Sequence, residues 1–323
     1  MLNRRSISIT LVMTTLAPTL VFAQTYPVRP VRLIVPYAAG GGTDAIARIV
    51  AQVMSEKLGQ TLVVENVATG AGNVATTQAA AAAPDGYSVL MANQGPIAVN
   101  PHMMKNLRVD TLKAFSPVTQ SASAALVVVV PENSPFKTIG DLIGAARKSP
   151  GKLAYGSAGN GSASHVATLL LNHLAKIDTV HVPSRGAGPA IGDLLGGQTR
   201  FMVTTFPSVV GLIETGKMRA LAVTTKERSP LLKDVPSIAE SGFPDYSASA
   251  WYGLVVPSGT SAAVVEKLRQ SAVAALGTDL VRKRLATDGA IPVGSSPEEF
   301  GAYIKEEHAR WKEIVSASKL QID

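Results

Sequence analysis

Cysteine is absent from the 323-residue chain. That single absence excludes disulfide frameworks, thiolate catalysis, iron–sulfur clusters, cysteine-based zinc sites and a lipid-anchored N-terminal cysteine. Aromatic residues make up 5% and charged residues 16%, too few stacking platforms and phosphate contacts for an extended nucleic-acid surface. The densest basic group is Arg282-Lys283-Arg284, which reads as a solvated helix face. Beyond the N-terminus no apolar run is long enough to span a membrane. Catalytic constellations are missing too. The five histidines (His102, His165, His173, His181, His308) form no His-Glu-x-x-His pair, and no Gly-x-Ser-x-Gly elbow occurs.

Hydrophobic residues account for 46% of the chain, so it folds, and its length suits two domains. Arg4 and Arg5 precede an uncharged run from Ser6 to Ala23 that ends Val21-Phe22-Ala23. A basic start, a short apolar core and small residues at the end predict a secretory signal, residues 1–23, cut after Ala23. The remaining 300 residues carry a net charge of +5 rather than +7, because two arginines leave with the signal.

The chain then alternates apolar runs with helical patterns, which predicts an α/β fold. Val31–Val35 is a strand. Gly40-Gly41-Gly42 follows, and Thr43 opens a helix with Ile46, Ile49, Val50 and Val53 on one face. Strands at Thr61–Glu65 and Tyr87–Met91, with a helix over Asn73–Ala83, complete a βαβαβ unit. Leu126–Val130 reads as a strand buried on both faces. A second series begins at Leu153–Tyr155, passes through Gly156-Ser157-Ala158-Gly159-Asn160-Gly161-Ser162 into a helix over residues 163–174, and continues through Val180–Val182, a helix to Leu195, Phe201–Val203 and Arg219–Val223. Trp251–Val256 is a further strand. Ser296-Pro297-Glu298-Glu299 is a capping box opening a C-terminal helix, with Phe300, Ile304, His308, Trp311 and Val315 as its apolar stripe.

One local device occurs twice: a strand, a Gly/Ser loop, then a helix start, near residue 40 and near residue 160. The first turn of a helix offers free N–H groups and a partial positive charge, and glycines let an anion approach the backbone. Thr43, Ser157, Ser162, Thr204 and Thr205 could add hydroxyl contacts; ordinary βα turn chemistry is the bland alternative. Asp44 complements a helix dipole. Arg185 could pair with a carboxylate or stand solvated. His165 either lines the site or supports its loop. Two motif matches carry less. Gly211 to Lys217 resembles a P-loop, but Met218 stands where a magnesium-binding hydroxyl belongs, and Gly216 reads as a helix cap. Gly70-Ala71-Gly72-Asn73-Val74-Ala75 fits the dinucleotide pattern only loosely.

Taken in order, the residues resemble the Bug-type periplasmic solute receptors of tripartite tricarboxylate transport systems. The similarity lies in Tyr26-Pro27 to Pro36-Tyr37, Gly40 to Asp44, Val64-Glu65-Asn66, Gly70 to Asn73, Ala83 to Tyr87, Asn100-Pro101, Pro150 to Leu153, Gly156 to Ser162 with His165, Asp193 to Gln198, Ser229-Pro230, Asp234 to Gly242 and Trp251 to Leu254. The resemblance implies a two-lobed periplasmic binding protein of type II (a Venus flytrap) with two crossing hinge strands, near Gln120–Ala125 and Ala248–Trp251. Lobe 1 would comprise residues 24–122 and 250–323, and lobe 2 residues 123–249. It implies a ligand carboxylate held by Gly41, Gly42, Thr43 and Asp44, partly through waters, with Tyr37 and Gln94 beside them. Lobe 2 would contribute Ser157, Gly159, Asn160, Gly161, Ser162 and His165, then Ser184, Arg185 and Gly186, then Thr204 and Thr205. Relative to the family pattern, Ser184 replaces an aromatic residue, and Thr204 and Arg200 replace acidic ones. Loss of the acid at Thr204 removes a counter-charge for an ammonium and favours a dicarboxylate or aromatic acid over an amino acid. The expectation is therefore a monomeric, non-enzymatic receptor of the periplasm with no cofactor, metal or nucleic-acid partner, serving the membrane components of a tripartite transporter or a signalling partner. The alternatives are an orphan sensor and an exported α/β enzyme.

Overall fold

The computed structural model describes residues 26–287 and 289–318, with side chains to residue 316; the signal-peptide expectation lies outside the described residues. The elements run β1 (Val31–Val35), α1 (Gly42–Leu58), β2 (Leu62–Asn66), α2 (Asn73–Ala80), β3 (Ser88–Asn93), α3 (Asn100–Met103), α4 (Thr111–Ala114), β4 (Phe115–Pro131), α5 (Ile139–Lys148) and β5 (Ala154–Ser157). They continue α6 (Ala163–Ala175), β6 (Val180–Pro183), α7 (Ala187–Leu195), β7 (Phe201–Thr205), α8 (Val210–Glu214), β8 (Met218–Val223), β9 (Ser249–Pro257), α9 (Ala262–Leu276), α10 (Asp279–Thr287), β10 (Ala290–Pro292) and α11 (Pro297–Ser318).

The strands form one curled sheet in the order β2-β1-β3-β9-β4-β7-β5-β6, with β10 and β8 also paired to β4. The two βαβαβ units build its two ends in the same way. In each, the second, first and third strands lie side by side in parallel, and an antiparallel strand follows: β9 beside β3, and β4 beside β7. The local device seen twice in the sequence thus belongs to one topology used twice. Parallel strands need helical crossovers, and the inner strands β3 and β7 are buried on both faces while the edge strands β2 and β6 are partly exposed.

β4 joins the ends. Over Phe115–Ala125 it pairs with β9; from Leu126 it pairs with β7 and β8. Its 17 residues exceed the Leu126–Val130 strand read from the valine run, because Ser116, Thr119, Ser121 and Ser123 look polar and gain strand structure from β9. Val127, Val128, Val129 and Val130 are fully buried, as their run suggests. Each such valine contributes roughly 1.5–3 kcal/mol of burial. The chain returns at Ala248–Ser249, and Thr224 ties the two passages together. The Leu126 N–H donates to its Oγ1 (2.9 Å), and Oγ1 donates to Ala248 O (2.7 Å).

Local signals hold where the sequence carries them. Ser296 and Glu299 form the reciprocal capping pair (2.8 and 3.1 Å) at the start of α11. α5 has no counterpart in the sequence reading, although Thr138 and Asp141 form its capping box. Residues 95–99 make a π-helical turn between β3 and α3.

Candidate functional site

Helices α1, α6 and α7 all begin at the carboxyl ends of parallel strands, and their first turns line one cleft between the two ends of the sheet. Gly41, Gly42 and Thr43 come from α1, Ser162, Ala163 and Ser164 from α6, and Ala187 from α7. Tyr37, Asn93, Gln94 and Gly95 enter from β1 and β3, Thr204 and Thr205 from β7, and Ala250, Trp251 and Tyr252 from β9. The free space enclosed is about 40 Å³, room for little more than ordered water.

Among the described residues lining this cleft there is no Lys, Arg, His, Asp or Glu. Its positive potential comes from helix termini. α1 and α7 start at Gly41 and Gly186 without a side-chain cap from their own segment; Ser208 Oγ takes the Gly42 N–H of α1, and the remaining N–H groups of these first turns are open to an anion. α6 is capped by Ser162, whose Oγ accepts from the His165 N–H (3.3 Å). Each terminus favours a negative charge by about 0.3–1 kcal/mol when exposed and up to about 2 kcal/mol when shielded. Two buried polar atoms of the lining, Thr204 Oγ1 and Asn93 Oδ1, have no hydrogen-bond partner in the protein. An unmet buried polar group costs about 1–3 kcal/mol; a bound carboxylate can accept from the Thr204 hydroxyl, whereas the Asn93 amide oxygen needs a donor such as a water or a ligand hydroxyl.

The two ends of the sheet touch across the cleft. The Gly42 N–H donates to Ser208 Oγ (3.1 Å), and Ser208 is linked to Thr205 Oγ1 (2.8 Å). A Cβ on Gly95 would sit 2.7 Å from Gly161 O, and one on Gly161, where φ is +70°, would overlap Asn100 Oδ1. Both positions require glycine.

The expected residues separate into three groups. Tyr37, Gly41, Gly42, Thr43, Gln94, Ser162, Thr204 and Thr205 line the inner cleft. Gly159, Asn160, Ser184 and Arg185 line an adjoining outer crevice with Tyr37; Arg185 is exposed, and Ser184 Oγ donates to Asp193 (2.9 Å). The others brace the loops. Asp44 is buried and accepts from the Gly40 N–H, Arg48 Nε and Asn66 Nδ2 (2.9–3.0 Å). Burial alone would raise its carboxyl pKa, but these donors outweigh it and hold the group below the usual range. Ser157 Oγ lies 2.6 Å from His181 Nε2, and His165 Nδ1 accepts from the Gly161 N–H (3.0 Å). The His165 and His181 rings stack at 3.9 Å. Burial lowers the His181 pKa to about 4, and burial with the neighbouring His181 lowers that of His165 well below its ordinary value. Gly161 and Gly186 bring backbone close to the facing Asn100 and Ala38.

Sequence reading missed Asn93, Trp251, Tyr252 and Ser208. Asn93 ends β3, and the rule that ligands gather beyond the carboxyl ends of parallel strands would have flagged it. Trp251 and Tyr252 reach the cleft through the pairing of β9 with β3 and β4, and Ser208 reaches the Gly42 N–H beside it; none leaves a local signal. Burial raises the Tyr37 phenol pKa, so it stays protonated and can donate.

Residues 46–320 match the family described as tripartite tricarboxylate transporter family receptor. BugT of Bordetella pertussis is 33% identical over 296 residues, covering 91% of each chain. An R. palustris protein solved with adipate superposes with a TM-score of 0.88 at 33% identity, over 91% of this chain and 98% of that one. MatC from Rhodopseudomonas palustris with bound malate gives 0.86 at 33%, over 90% and 100%. The twice-used topology, the cleft walled by helix termini and these likenesses agree: the chain belongs to the tripartite tricarboxylate receptor family of periplasmic binding proteins, the family that includes the Bug proteins.

Proposed function

We propose that this chain is a receptor that captures a small carboxylate without a free amine, a dicarboxylate or an aromatic acid, between two lobes, and presents it to the membrane components of a tripartite transporter. The observation that carries the reading is a cleft with helix N-termini and hydroxyls but no ionic side chain among its described lining residues. Such a wall holds a carboxylate through backbone N–H groups and dipoles. It offers no carboxylate to an ammonium, so a free amine would be desolvated without a partner. The adipate and malate carried by two related structures are of the favoured class. The lobes are residues 24–122 with 250–323, and residues 123–249. The exchange of β4 partners between Ala125 and Leu126, and the return at Ala248–Ser249, support these limits.

Titration calorimetry with malate, adipate, benzoate, aspartate and glutamate tests the reading. Heat from one or more of the plain carboxylates, and none from the amino acids at equal concentration, is the expected result. Selective binding of aspartate or glutamate, with no plain carboxylate bound, would overturn it.

A further inference from the structure

Behind the cleft wall lies a buried acid that neither the anion-binding loops nor the hinge pairing uses. Glu307, on α11, is 5% exposed. Its Oε2 accepts from Trp251 Nε1 (3.0 Å) and from Trp311 Nε1 (3.1 Å). The chain has two tryptophans, and both indoles donate to this one oxygen. Trp251 belongs to β9 just after the second crossing and forms part of the cleft wall. Its ring is boxed edge-on by Phe300 (5.7 Å) and Tyr303 (5.9 Å), both from α11.

The same helix holds the crossing by two more routes. Arg310 Nη2 donates to Ser247 O (2.6 Å), and its Nη1 lies 3.6 Å from Glu307 Oε1. Trp311 Nε1 also faces the Gln94 amide oxygen at 2.9 Å, while the Gln94 nitrogen donates to Ser249 O at 3.3 Å, in the amide orientation that satisfies both groups. Gln94 is itself a cleft residue. Ser247, Ser249 and Trp251, alternate residues of the crossing, are thus each held by a side chain of this network, and two of the holding or held groups face the ligand space.

A purely structural tie between α11 and β9 needs no acid. Burying a carboxylate is costly, and an apolar pair of similar volume packs at least as well. A carboxylate offers several acceptor sites in fixed geometry, which suits a group that must orient two indoles and an arginine together. We propose that Glu307 is a positioning residue for the ligand cleft: it fixes the Trp251 wall and, through Trp311, the Gln94 amide against the second crossing, so that cleft occupancy and hinge geometry are coupled and both tryptophans report on them. The inference rests on the cleft being the carboxylate site.

The test compares the full chain with Glu307→Gln, which keeps an acceptor oxygen, and Glu307→Met, which keeps volume alone. Calorimetry with malate and adipate, indole emission, amide exchange over residues 249–252 and the thermal midpoint are measured on each. Saturating malate or adipate shifts the emission of the unmodified chain. Glu307→Met weakens that ligand about tenfold and speeds exchange at residues 249–252 by a similar factor, as the loss of a shared buried acceptor implies. Glu307→Gln restores affinity to within about threefold, because its amide oxygen still accepts from the indoles. Unchanged affinity in Glu307→Met, or no emission change on saturation of the unmodified chain, overturns the coupling even if the midpoint falls. If neither probe gives heat with the unmodified chain, benzoate replaces them as the probe, and silence from all three fails the carboxylate reading of the cleft instead. The exchange data then decide the hold on the crossing: faster exchange in Glu307→Met with rescue in Glu307→Gln supports it, and equal rates overturn it.

Discussion

At the scale of single residues, Thr204 allows the proposed binding role to be tested apart from the fold. Its side chain is fully buried on β7, and its Oγ1 has no partner in the protein. A hydroxyl in that position costs stability and gains it back only when a solute supplies the missing hydrogen bond. Thr204→Val keeps the branched shape and removes the unmet group. The thermal midpoint of the free protein should stay level or rise, while affinity for the bound carboxylate falls roughly five- to tenfold, the worth of about one hydrogen bond. Calorimetric melts and titrations on the two chains check both halves. A midpoint that drops together with affinity would mean that Oγ1 serves the fold. Asp44 illustrates the opposite arrangement. The sequence marks it as a helix-dipole partner beside the anion loop, and its oxygens are taken up by Arg48, Asn66 and Gly40, so it shapes the loop from behind.

At the scale of elements, the loop from Ser157 to Ser162 and helix α6 depend on two neutral imidazoles. His165 Nδ1 must be unprotonated to accept from the Gly161 N–H, and His181 stacks on it beside Tyr155 with Ser157 at its Nε2. Both pKa values lie below the ordinary value of about 6.5, that of His181 near 4. Between those limits the unfolded chain binds protons that the folded chain refuses, so stability falls as pH drops from about 6.5 towards 4 and is level above that window. Melts from pH 8 to 4.5 should show this decline, and His181→Gln should make it shallower, with His165 and the likewise lowered His102 and His308 supplying the rest; an equal slope in the variant would remove His181 from the account. The same elements show what a sequence can reveal. The βαβαβ units, the Gly/Ser loops and the α11 capping box rest on periodicity and on chemistry between near neighbours, and they were legible. The first half of β4 was not legible from local pattern, since its serines and threonines take strand form only against β9; the family resemblance alone placed a crossing strand near Gln120–Ala125. Asn93, Trp251 and Tyr252 in the cleft and Ser208 beside it were not legible, since distant segments bring them together. His165 kept two readings in the sequence because only the position of His181 decides which way its ring faces.

At the scale of the whole molecule, the two ends of the sheet meet across a cleft whose free space, about 40 Å³, holds little more than ordered water, so the proposed capture of a dicarboxylate requires the ends to separate. The contact that spans it is specific. The first N–H of α1, at Gly42, lacks a cap from its own segment and donates instead to Ser208 Oγ, which the Thr205 hydroxyl positions from the opposite lobe. Under the proposed closure Ser208 completes the α1 terminus only when the two ends are together, and its hydrogen bond is expected to favour that arrangement over an open one. A ligand that touches both lobes shifts the same equilibrium, and the two contributions add. Removing the hydroxyl in Ser208→Ala should move the free protein towards the open form by roughly fivefold, one hydrogen bond's worth. Small-angle scattering of the free variant should give a larger radius of gyration than the unmodified chain, with the two converging at saturating malate or adipate. Affinity should fall by a comparable factor, because more of the binding energy is spent on closure. Superimposable scattering curves for the two free proteins, with equal affinities, would show that the Gly42–Ser208 contact follows closure and does not bias it.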